Sequence, residues 1–310
     1  MADPALLHLL ALLKAAGYRF ATPAPATHRR VLLRRGGSSA RDLADVLGWN
    51  MRFDDRLLDT EILAALHGAK ALIRRGRQWV SRYRVASVGD DLFLHSAFPP
   101  GEDAVFFGPD SYRFAHLIQR AAPRLRKGAR ILDIGSGAGV GGVVAARLAP
   151  APRLTLADIS AKALALAAVN AQASGQAPEL AVCDGAPPGR ATFHLIVANP
   201  PYIGAAPGKT YADGGGPLGL DLSIDWTTQA LPRLAPGGRF LLYSGSAVGR
   251  GADPLRNALA PLAQAAGCLF RYEEIDPDVF PATLAQPAYW GVERIAAVGA
   301  VFERPRVTQT

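Results

Sequence analysis

Seven short apolar segments alternate with helix-like segments after residue 104, and this alternation limits the possible folds more than any other feature. Strands that alternate with helices predict a mostly parallel sheet with helices on both faces. Ligands of such sheets bind at the carboxyl ends of the strands. The predicted strands are Arg130–Ile134, Arg153–Ala157, Glu179–Cys183, Leu195–Ala198, Arg239–Tyr243, Leu269–Ile275 and Ile295–Phe302. We therefore expect a seven-stranded, Rossmann-like α/β domain over residues 104–303.

The composition is that of a folded protein from a reducing compartment. Apolar residues make up 49% of the chain and charged residues 19%, which argues against disorder. Cys183 and Cys268 form neither a disulfide framework nor a metal-ligand pattern, so we expect a cytoplasmic protein without a metal. The apolar start, Leu6–Leu13, lacks the basic lead and the cleavage site of a signal peptide. No run of 18 apolar residues exists, so no membrane span is expected.

The positive charge is concentrated in the N-terminal third of the chain. Of the net charge of +8, residues 1–100 contribute 15 Lys and Arg against 9 Asp and Glu. The segment Pro99–Asp103 breaks regular structure and is the predicted domain boundary. We expect a basic, substrate-recognising α+β domain over residues 1–100, the catalytic domain over 104–303 and a tail over 304–310.

The N-terminal domain has the element order of a winged helix. We expect three helices followed by a β-hairpin. Ser39 is the predicted N-cap of the second helix, with Asp42 completing a partial capping box. The predicted elements are a helix over Leu6–Ala16, a Pro-rich loop over Thr22–Thr27, the Ser39 helix, a helix over Leu57–Leu72, and strands over Gln78–Ser87 and Leu92–Ala97.

The first predicted strand of the catalytic domain runs into a glycine-rich turn, Ile131–Gly139. Its glycines allow a ligand to approach the backbone, and the following helix, Val140–Leu148, offers free amide groups to a polar ligand. The overlapping segment Gly137–Gly142 also fits the dinucleotide fingerprint of nicotinamide enzymes. Against that alternative, Asp133 lies on the strand before the glycines and the loop begins one glycine pair early. The loop therefore indicates a nucleotide-type site.

Two further carboxylates end the next two strands. Asp158 can accept hydrogen bonds from both hydroxyl groups of a ribose, and it can equally cap the following helix, as can Ser160. Asp184 can accept from the amino group of an adenine, or it can be a simple turn residue. Both positions fit a nucleoside ligand at the strand ends.

The segment Asn199–Tyr202 reads Asn-Pro-Pro-Tyr and follows the apolar strand Phe193–Ala198. The Asn199 side-chain oxygen and the Pro200 carbonyl oxygen can accept the two N–H bonds of a planar NH2 group, which orients its lone pair. Pro201 fixes the backbone, and Tyr202 offers a ring to a flat substrate. The structural alternative is a rigid turn with Tyr202 packed in the core.

Together these motifs resemble class I S-adenosylmethionine-dependent methyltransferases of the Asn-Pro-Pro-Tyr group. The resemblance covers about residues 104–303 and implies S-adenosylmethionine as the cofactor, with no metal. It implies catalytic roles for Asn199, Pro200, Pro201 and Tyr202. The implied cofactor-binding residues are Asp133, Gly135, Ser136, Gly137, Gly139, Asp158, Ile159, Asp184, Gly185 and Asn199.

Ile203 and the segment Gly214–Leu222 look similar to the region after this motif in release-factor glutamine methyltransferases, which favours a protein glutamine as the acceptor. The chain departs from that family in two places. The segment Phe106–Tyr112 lacks the family's Arg and Glu. A basic hairpin, Arg74–Arg84, stands where the family usually has a small helical bundle.

The alternative acceptor is an exocyclic amino group of a base in RNA or DNA. Arginines of the hairpin can follow a phosphate backbone while Trp79 and Tyr83 stack on bases, and His28–Arg30 with Arg34–Arg35 adds a second basic cluster. The hairpin can equally be a solvated edge strand that blocks aggregation. A basic binding protein with a vestigial cofactor domain is a third, non-enzymatic alternative.

The loop Asp276–Gly291 lies between the last two predicted strands and contains Phe280, Tyr289 and Trp290. It is expected to form either one wall of the substrate pocket or a packed hairpin.

Overall fold

The computed structural model describes residues 2–101, 103–204 and 213–306, which form two compact units. The first unit comprises the chain up to Tyr112 together with Gly137–Val140 and Lys162–Ala177, and the second comprises the remainder. The domain limits expected from the sequence stay a prediction. Glu102 of the expected boundary and residues 307–310 of the expected tail lie outside the described residues.

The first unit contains helices and two separate two-stranded antiparallel sheets, β1–β2 and β3–β4. Asp3 begins the first helix by accepting from the amide of Ala5 at 2.9 Å. The elements are α1 Pro4–Ala15, α2 Pro25–Arg34, a π-helical turn Ala44–Gly48, a 3₁₀ turn Asp55–Leu57, α3 Thr60–Gly68, β1 Leu72–Arg75, β2 Gln78–Ser81, β3 Tyr83–Val88 and β4 Asp91–Ser96.

Two predictions for this unit are wrong at the level of single elements. The expected loop Thr22–Thr27 ends early, because Pro25 begins α2, where a missing N–H is tolerated. The helix expected at Ser39 is only the turn Ala44–Gly48, with the Asp42 side chain accepting from the Asp45 amide at 2.7 Å. The Ser39 hydroxyl instead accepts from the Gln78 side chain at 2.6 Å.

The expected hairpin is also more elaborate than predicted. The expected strand Gln78–Ser87 is broken after Ser81 into β2 and β3, and β2 pairs with β1. The predicted hairpin about Gly89 is present as β3–β4. The expected third helix ends at Gly68, so that Leu72 already belongs to β1. The winged-helix assignment stays a prediction.

The second unit is built on a seven-stranded sheet, as the sequence predicts. Its strand order is β10–β11–β9–β8–β5–β6–β7, and β11 runs antiparallel to the other six strands of this sheet. The strands are β5 Arg130–Ile134, β6 Arg153–Asp158, β7 Glu179–Val182, β8 Phe193–Ala198, β9 Leu234–Val248, β10 Leu269–Asp276 and β11 Arg294–Glu303. The fold is the Rossmann-like one expected.

Five more α-helices are described, and no helix of the described chain is long and apolar enough to cross a membrane. They are α4 Pro109–Ala121, α5 Val140–Ala146, α6 Ala161–Ala173, α7 Asp221–Ala230 and α8 Pro254–Ala265. The predicted helix Val140–Leu148 ends two residues early. Asp253 caps α8 by accepting from the Arg256 amide at 2.9 Å.

Apolar side chains fill both faces of the central strands. Leu132 and Ile196 are fully buried on one face of adjacent strands, and Ile131 and Leu195 are fully buried on the other, as expected for parallel strands covered on both faces. Each such side chain contributes about 1.5–3 kcal/mol when it is fully removed from water. The strand ends, where the predicted motifs begin, are therefore fixed by a rigid core.

Candidate active site

The sheet brings the predicted motifs to one edge. Ile134 at the end of β5 pairs with Ala157 of β6 and with Ala198 of β8. Asp158, the last residue of β6, pairs with Val182 of β7. The glycine loop, both carboxylates and the Asn-Pro-Pro-Tyr segment therefore leave four neighbouring parallel strands at their carboxyl ends. This is the edge at which α/β sheets bind their ligands.

The turn after β5 is shaped for close approach. Gly135 has a φ of 65°, and a Cβ on it would collide with the ring of Trp226. The Ser136 amide donates to the Ala157 carbonyl at 2.9 Å, which ties the loop to the next strand. The Ser136 hydroxyl is buried and has no hydrogen-bond partner among the described residues. An orphaned hydroxyl here suits a polar ligand, because burial without a partner costs free energy.

Asp133 holds the glycine loop against α5. Its side chain is 1% exposed, and Oδ2 accepts from the Gly142 amide at 2.7 Å. Burial raises the pKa of Asp133 to about 7, an effect that the Gly142 hydrogen bond opposes. Its observed contact is thus within the protein, and its contact with a cofactor stays a prediction.

The middle of the glycine loop is held within the first unit by a residue that the sequence did not single out. Asn170 on α6 is fully buried and donates to the Ala138 carbonyl at 2.9 Å. The same amide group accepts from the Leu94 N–H at 2.8 Å and donates to the Leu94 carbonyl at 3.0 Å. Gly139 has a φ of 81° and lies against Ala167. The spacing of Asn170, three and four residues from the buried Ala167 and Leu166, is the one signal in the sequence that places this asparagine on the inner face of α6.

The two expected nucleoside carboxylates differ in their surroundings. Asp158 is half-buried, and its Oδ1 accepts from the Ser160 amide at 2.8 Å, so the capping contact is present. Asp184 is exposed. Ile159 is 71% exposed beside Asp158, which leaves an apolar side chain available to a flat ring. Ribose and adenine binding stay predictions.

Helix α7 supports both loops, a role that the sequence did not reveal. Trp226 underlies Gly135, and Gln229, three residues later on the helix, underlies Gly185. Gly185 has a φ of 75°, and Gln229 Oε1 accepts from the Ala186 amide at 2.8 Å. Their spacing places both side chains on one helical face. That spacing was the only signal available in the sequence.

Asn199 follows directly after β8 and is half-buried. Tyr202 is 6% exposed, with its ring centroid 5.7 Å from that of Phe280 and 6.2 Å from that of Tyr243. A Cβ on Gly245 would collide with the Tyr202 ring. Tyr202 is therefore packed among other side chains, as the structural alternative predicts. Most of its ring surface is occupied by the protein.

The segment Gly214–Leu222 lies against the backbone of the Asn-Pro-Pro-Tyr segment. The Gly214 amide donates to the Ile203 carbonyl at 3.0 Å. A Cβ on Gly219 would lie 2.6 Å from the Tyr202 carbonyl carbon, and one on Gly214 would lie 2.7 Å from the Pro201 oxygen. Only glycine allows two backbones to come this close.

The loop between β10 and β11 forms two 3₁₀ turns, Pro281–Ala285 and Pro287–Tyr289. Tyr289 is buried, and its hydroxyl accepts from the Gly204 amide at 2.8 Å. Trp290 is 79% exposed. The described loop packs against the protein through the buried Val279 and Tyr289, and it contacts the ring of Tyr202 through Phe280. A role as one wall of the substrate pocket stays a prediction.

The basic hairpin uses part of its expected nucleic-acid surface internally. The Arg74 guanidinium lies 4.6 Å from the Trp79 ring centroid, and Trp79 pairs with Phe53 through backbone hydrogen bonds. Arg84 is 7% exposed and donates to the Ser96 carbonyl at 3.0 Å. Arg74, Arg75, Arg77 and Arg82 are exposed.

No group of three or more His, Cys, Asp or Glu within the described residues is arranged to hold a metal ion. A groove of about 480 Å³ along α4 is lined partly by Arg113 and Arg120 and includes none of the predicted site residues. Both arginines form ion pairs, with Asp276 and Glu273 respectively.

Known proteins resemble the chain over this region. Residues 115–212 match the model of the methyltransferase small domain. The release factor glutamine methyltransferase of Cereibacter sphaeroides is 33% identical over 253 residues, which cover 74% of this chain and 84% of that protein. Matches to four other release factor glutamine methyltransferases span only 51% to 57% of their lengths.

Ribosomal RNA methyltransferases resemble the chain over a shorter stretch. The ribosomal RNA small subunit methyltransferase C of Shewanella amazonensis is 29% identical over 134 residues, covering 43% of this chain and 37% of that protein. A solved T. thermophilus 16S rRNA N2 methyltransferase in complex with AdoMet and guanosine aligns with a TM-score of 0.47 at 17% identity, over 82% of this chain and 64% of that one.

Proposed function

This chain belongs to the family of the release factor glutamine methyltransferases, and from that premise we propose the following function. The chain is an S-adenosylmethionine-dependent N-methyltransferase, and its acceptor is the side-chain amide of a glutamine in a release factor. The observation that carries this proposal is the placement of Asn199 directly after β8, next to the turn that begins at Gly135.

The residues at the strand ends fit S-adenosylmethionine. When bound, it supplies an electrophilic methyl group. The orphaned Ser136 hydroxyl would bond its polar part, together with the backbone of Gly135, Gly137 and Gly139. The carboxylates of Asp158 and Asp184 would accept from its ribose and adenine, and the exposed Ile159, together with Gly185, would cover the adenine face.

Asn199 and Pro200 would orient the acceptor. An amide nitrogen is a poor nucleophile, because its lone pair is delocalised into the carbonyl group. Two acceptors, the Asn199 Oδ1 and the Pro200 carbonyl oxygen, hold both N–H bonds and point the lone pair at the methyl group. They also stabilise the positive charge that develops on nitrogen. Pro201 limits the backbone motion that would otherwise move these oxygens.

Tyr202 would act chiefly through the shape of the site. Its ring is packed against Tyr243 and Phe280, so only a small edge is open to an acceptor. The packing fixes the end of the Asn-Pro-Pro-Tyr segment, as does the Gly214–Ile203 hydrogen bond. This rigidity maintains the positions of the two accepting oxygens.

The variant Asn199→Ala tests this assignment. We expect kcat for methyl transfer to a purified bacterial release factor to fall roughly 10²–10³-fold, since one preorganised group that stabilises developing charge is removed. Binding of S-adenosylmethionine, measured by calorimetry, should persist. Asn257→Ala, at an exposed position on α8, is the matched control. Unchanged transfer by Asn199→Ala would disprove the role of Asn199.

A base amine in RNA or DNA is the second candidate acceptor, and the exposed Arg75, Arg77 and Arg82 favour it. Labelled methyl groups transferred into a cell extract distinguish the two. Label released by protease alone identifies a protein acceptor, and mass spectrometry of the peptide then locates the glutamine. Label released by nuclease alone identifies a base and overturns the proposal.

The proposed location is the cytoplasm, where the proposed acceptor would be found and where Cys183 and Cys268 would remain free thiols.

A further inference from the structure

We propose that Phe280 is a positioning residue of the acceptor site, which it maintains by holding the ring of Tyr202. The inference rests on the proposed methyl transfer and adds a residue outside the Asn-Pro-Pro-Tyr segment. Phe280 lies in the loop between β10 and β11, about eighty residues further along the chain. Its role follows from its backbone conformation, its neighbours and its exposure.

Phe280 adopts a backbone conformation that aromatic residues rarely take. Its φ is 56° and its ψ is 47°, which is the left-handed helical region. A Cβ disfavours this region, and glycine or asparagine is the usual occupant. Sparsely populated conformations are held in place by surrounding structure and concentrate at functional sites. A glycine at position 280 would fit the backbone better, so the backbone does not explain the aromatic ring.

The ring of Phe280 completes the packing around Tyr202. It meets the Tyr202 ring edge to face, with centroids 5.7 Å apart and planes 74° apart. Tyr243 and Gly245, which also contact the Tyr202 ring, are buried. Phe280 is 41% exposed, so it is the place where this aromatic cluster reaches the solvent. A side chain in this position can contact both Tyr202 and an arriving acceptor.

The loop is fixed on both sides of Phe280. The Val279 amide donates to the Ile295 carbonyl of β11 at 2.8 Å, and the Thr283 amide donates to the Phe280 carbonyl at 2.9 Å. Farther along, the Tyr289 hydroxyl accepts from the Gly204 amide, just beyond Tyr202. The loop thus contacts the chain at Tyr202 and at Gly204, both shortly after the residues that carry the accepting oxygens. A displacement of Phe280 would therefore also displace the accepting oxygens of Asn199 and Pro200.

The test is Phe280→Gly, which removes the ring and relieves the backbone strain together. We expect kcat/KM for the release factor to fall about tenfold to a hundredfold through a higher acceptor KM, since a small misplacement near the reacting group has effects of this size. The KM for S-adenosylmethionine should stay unchanged, and the Tm should not fall. Phe280→Tyr should restore the wild-type acceptor KM. Leu269→Ala, which shortens another exposed apolar side chain of the same unit, is the control.

The outcomes separate this inference from the proposed function. If the wild-type protein methylates RNA instead of the release factor, the proposed function fails, and the same kinetic comparison is made with that RNA. If Phe280→Gly transfers methyl groups with wild-type kcat/KM to the acceptor in use, the positioning role is overturned. A lower Tm with unchanged acceptor KM would show that the ring only stabilises the fold, which overturns it equally.

Discussion

Buried ionisable groups occur in both units, but their surroundings differ. In the first unit, His28 and Arg84 lie together: the Arg84 NH1 group is 3.4 Å from His28 Nδ1, and His28 Nε2 is 3.0 Å from the Trp49 carbonyl oxygen. In the second unit, Asp133 lies at the end of β5 beside the glycine loop. His28 and Arg84 stabilise the packing of the first unit, whereas Asp133 lies within the proposed site.

The contrast shows that burial alone does not identify a functional group. Burial lowers the pKa of His28 to about 4 and raises that of Asp133 to about 7, so both side chains favour their neutral forms. His28 therefore loses its proton more readily than a free histidine, and Asp133 keeps its proton more readily than a free aspartate. Their contributions to stability should therefore respond to pH with opposite signs.

Among the variants that test this comparison, the largest loss of stability is expected at Asn170, the polar residue that supports the glycine loop from within the first unit. Asn170→Ala removes three hydrogen bonds and leaves the Leu94 amide and carbonyl groups buried without partners. We expect the free energy of unfolding to fall by roughly 3–5 kcal/mol, measured by denaturant titration. Gln172→Ala, at an exposed position on the same helix, should change it by less than about 0.5 kcal/mol. Equal effects of the two substitutions would contradict the proposed support.

Asp133→Asn should have a smaller effect on the free energy of unfolding, and this effect should depend on pH. The folded pKa of Asp133 lies above its unfolded value, so its stabilising contribution is present below about pH 4 and is lost as the pH rises through about 7. Between pH 5 and 6.5, the stability of the variant should therefore rise relative to wild type by about 2 kcal/mol. Parallel unfolding titrations at the two pH values measure this difference. A relative stability that does not change with pH would refute the assignment.

The smallest effect is expected from His28→Gln in acid. The geometry fits a neutral imidazole that donates from Nε2 to Trp49 and accepts at Nδ1 from Arg84; a second ring proton would face the guanidinium group. Because the folded pKa is lowered, the contribution of His28 is present above about pH 6.5 and is lost as the pH falls through about 4.

Between pH 6 and 5, wild-type stability should accordingly fall by about 1.4 kcal/mol relative to His28→Gln. The control is His8→Gln, at an exposed position on α1, which should follow the wild-type slope. If His28→Gln loses stability in acid as steeply as wild type does, another group is responsible for the acid sensitivity.

The sequence predicted the second unit well because its signals are local. Each strand end is marked by an apolar run and then a polar or glycine residue, as at Ile134–Gly135 and Ala157–Asp158. Six of the seven strands begin and end within two residues of their predicted limits, and β9 is longer. The first unit was predicted less well. The sequence pattern predicts a loop at Pro25, which begins a helix, and the break in the hairpin after Ser81 has no clear sequence signal.

The sequence by itself determined the sheet and the order of the motifs along its edge, because strand periodicity and the connections between parallel strands fix which residues leave neighbouring strands together. Only the tertiary structure decided which side chains support those motifs. Trp226 under Gly135, Asn170 on Ala138 and Phe280 on Tyr202 are each about thirty to ninety residues from their partners. Contacts between such distant positions arise when the chain packs, since close packing depends on the shapes of side chains brought together from separate elements.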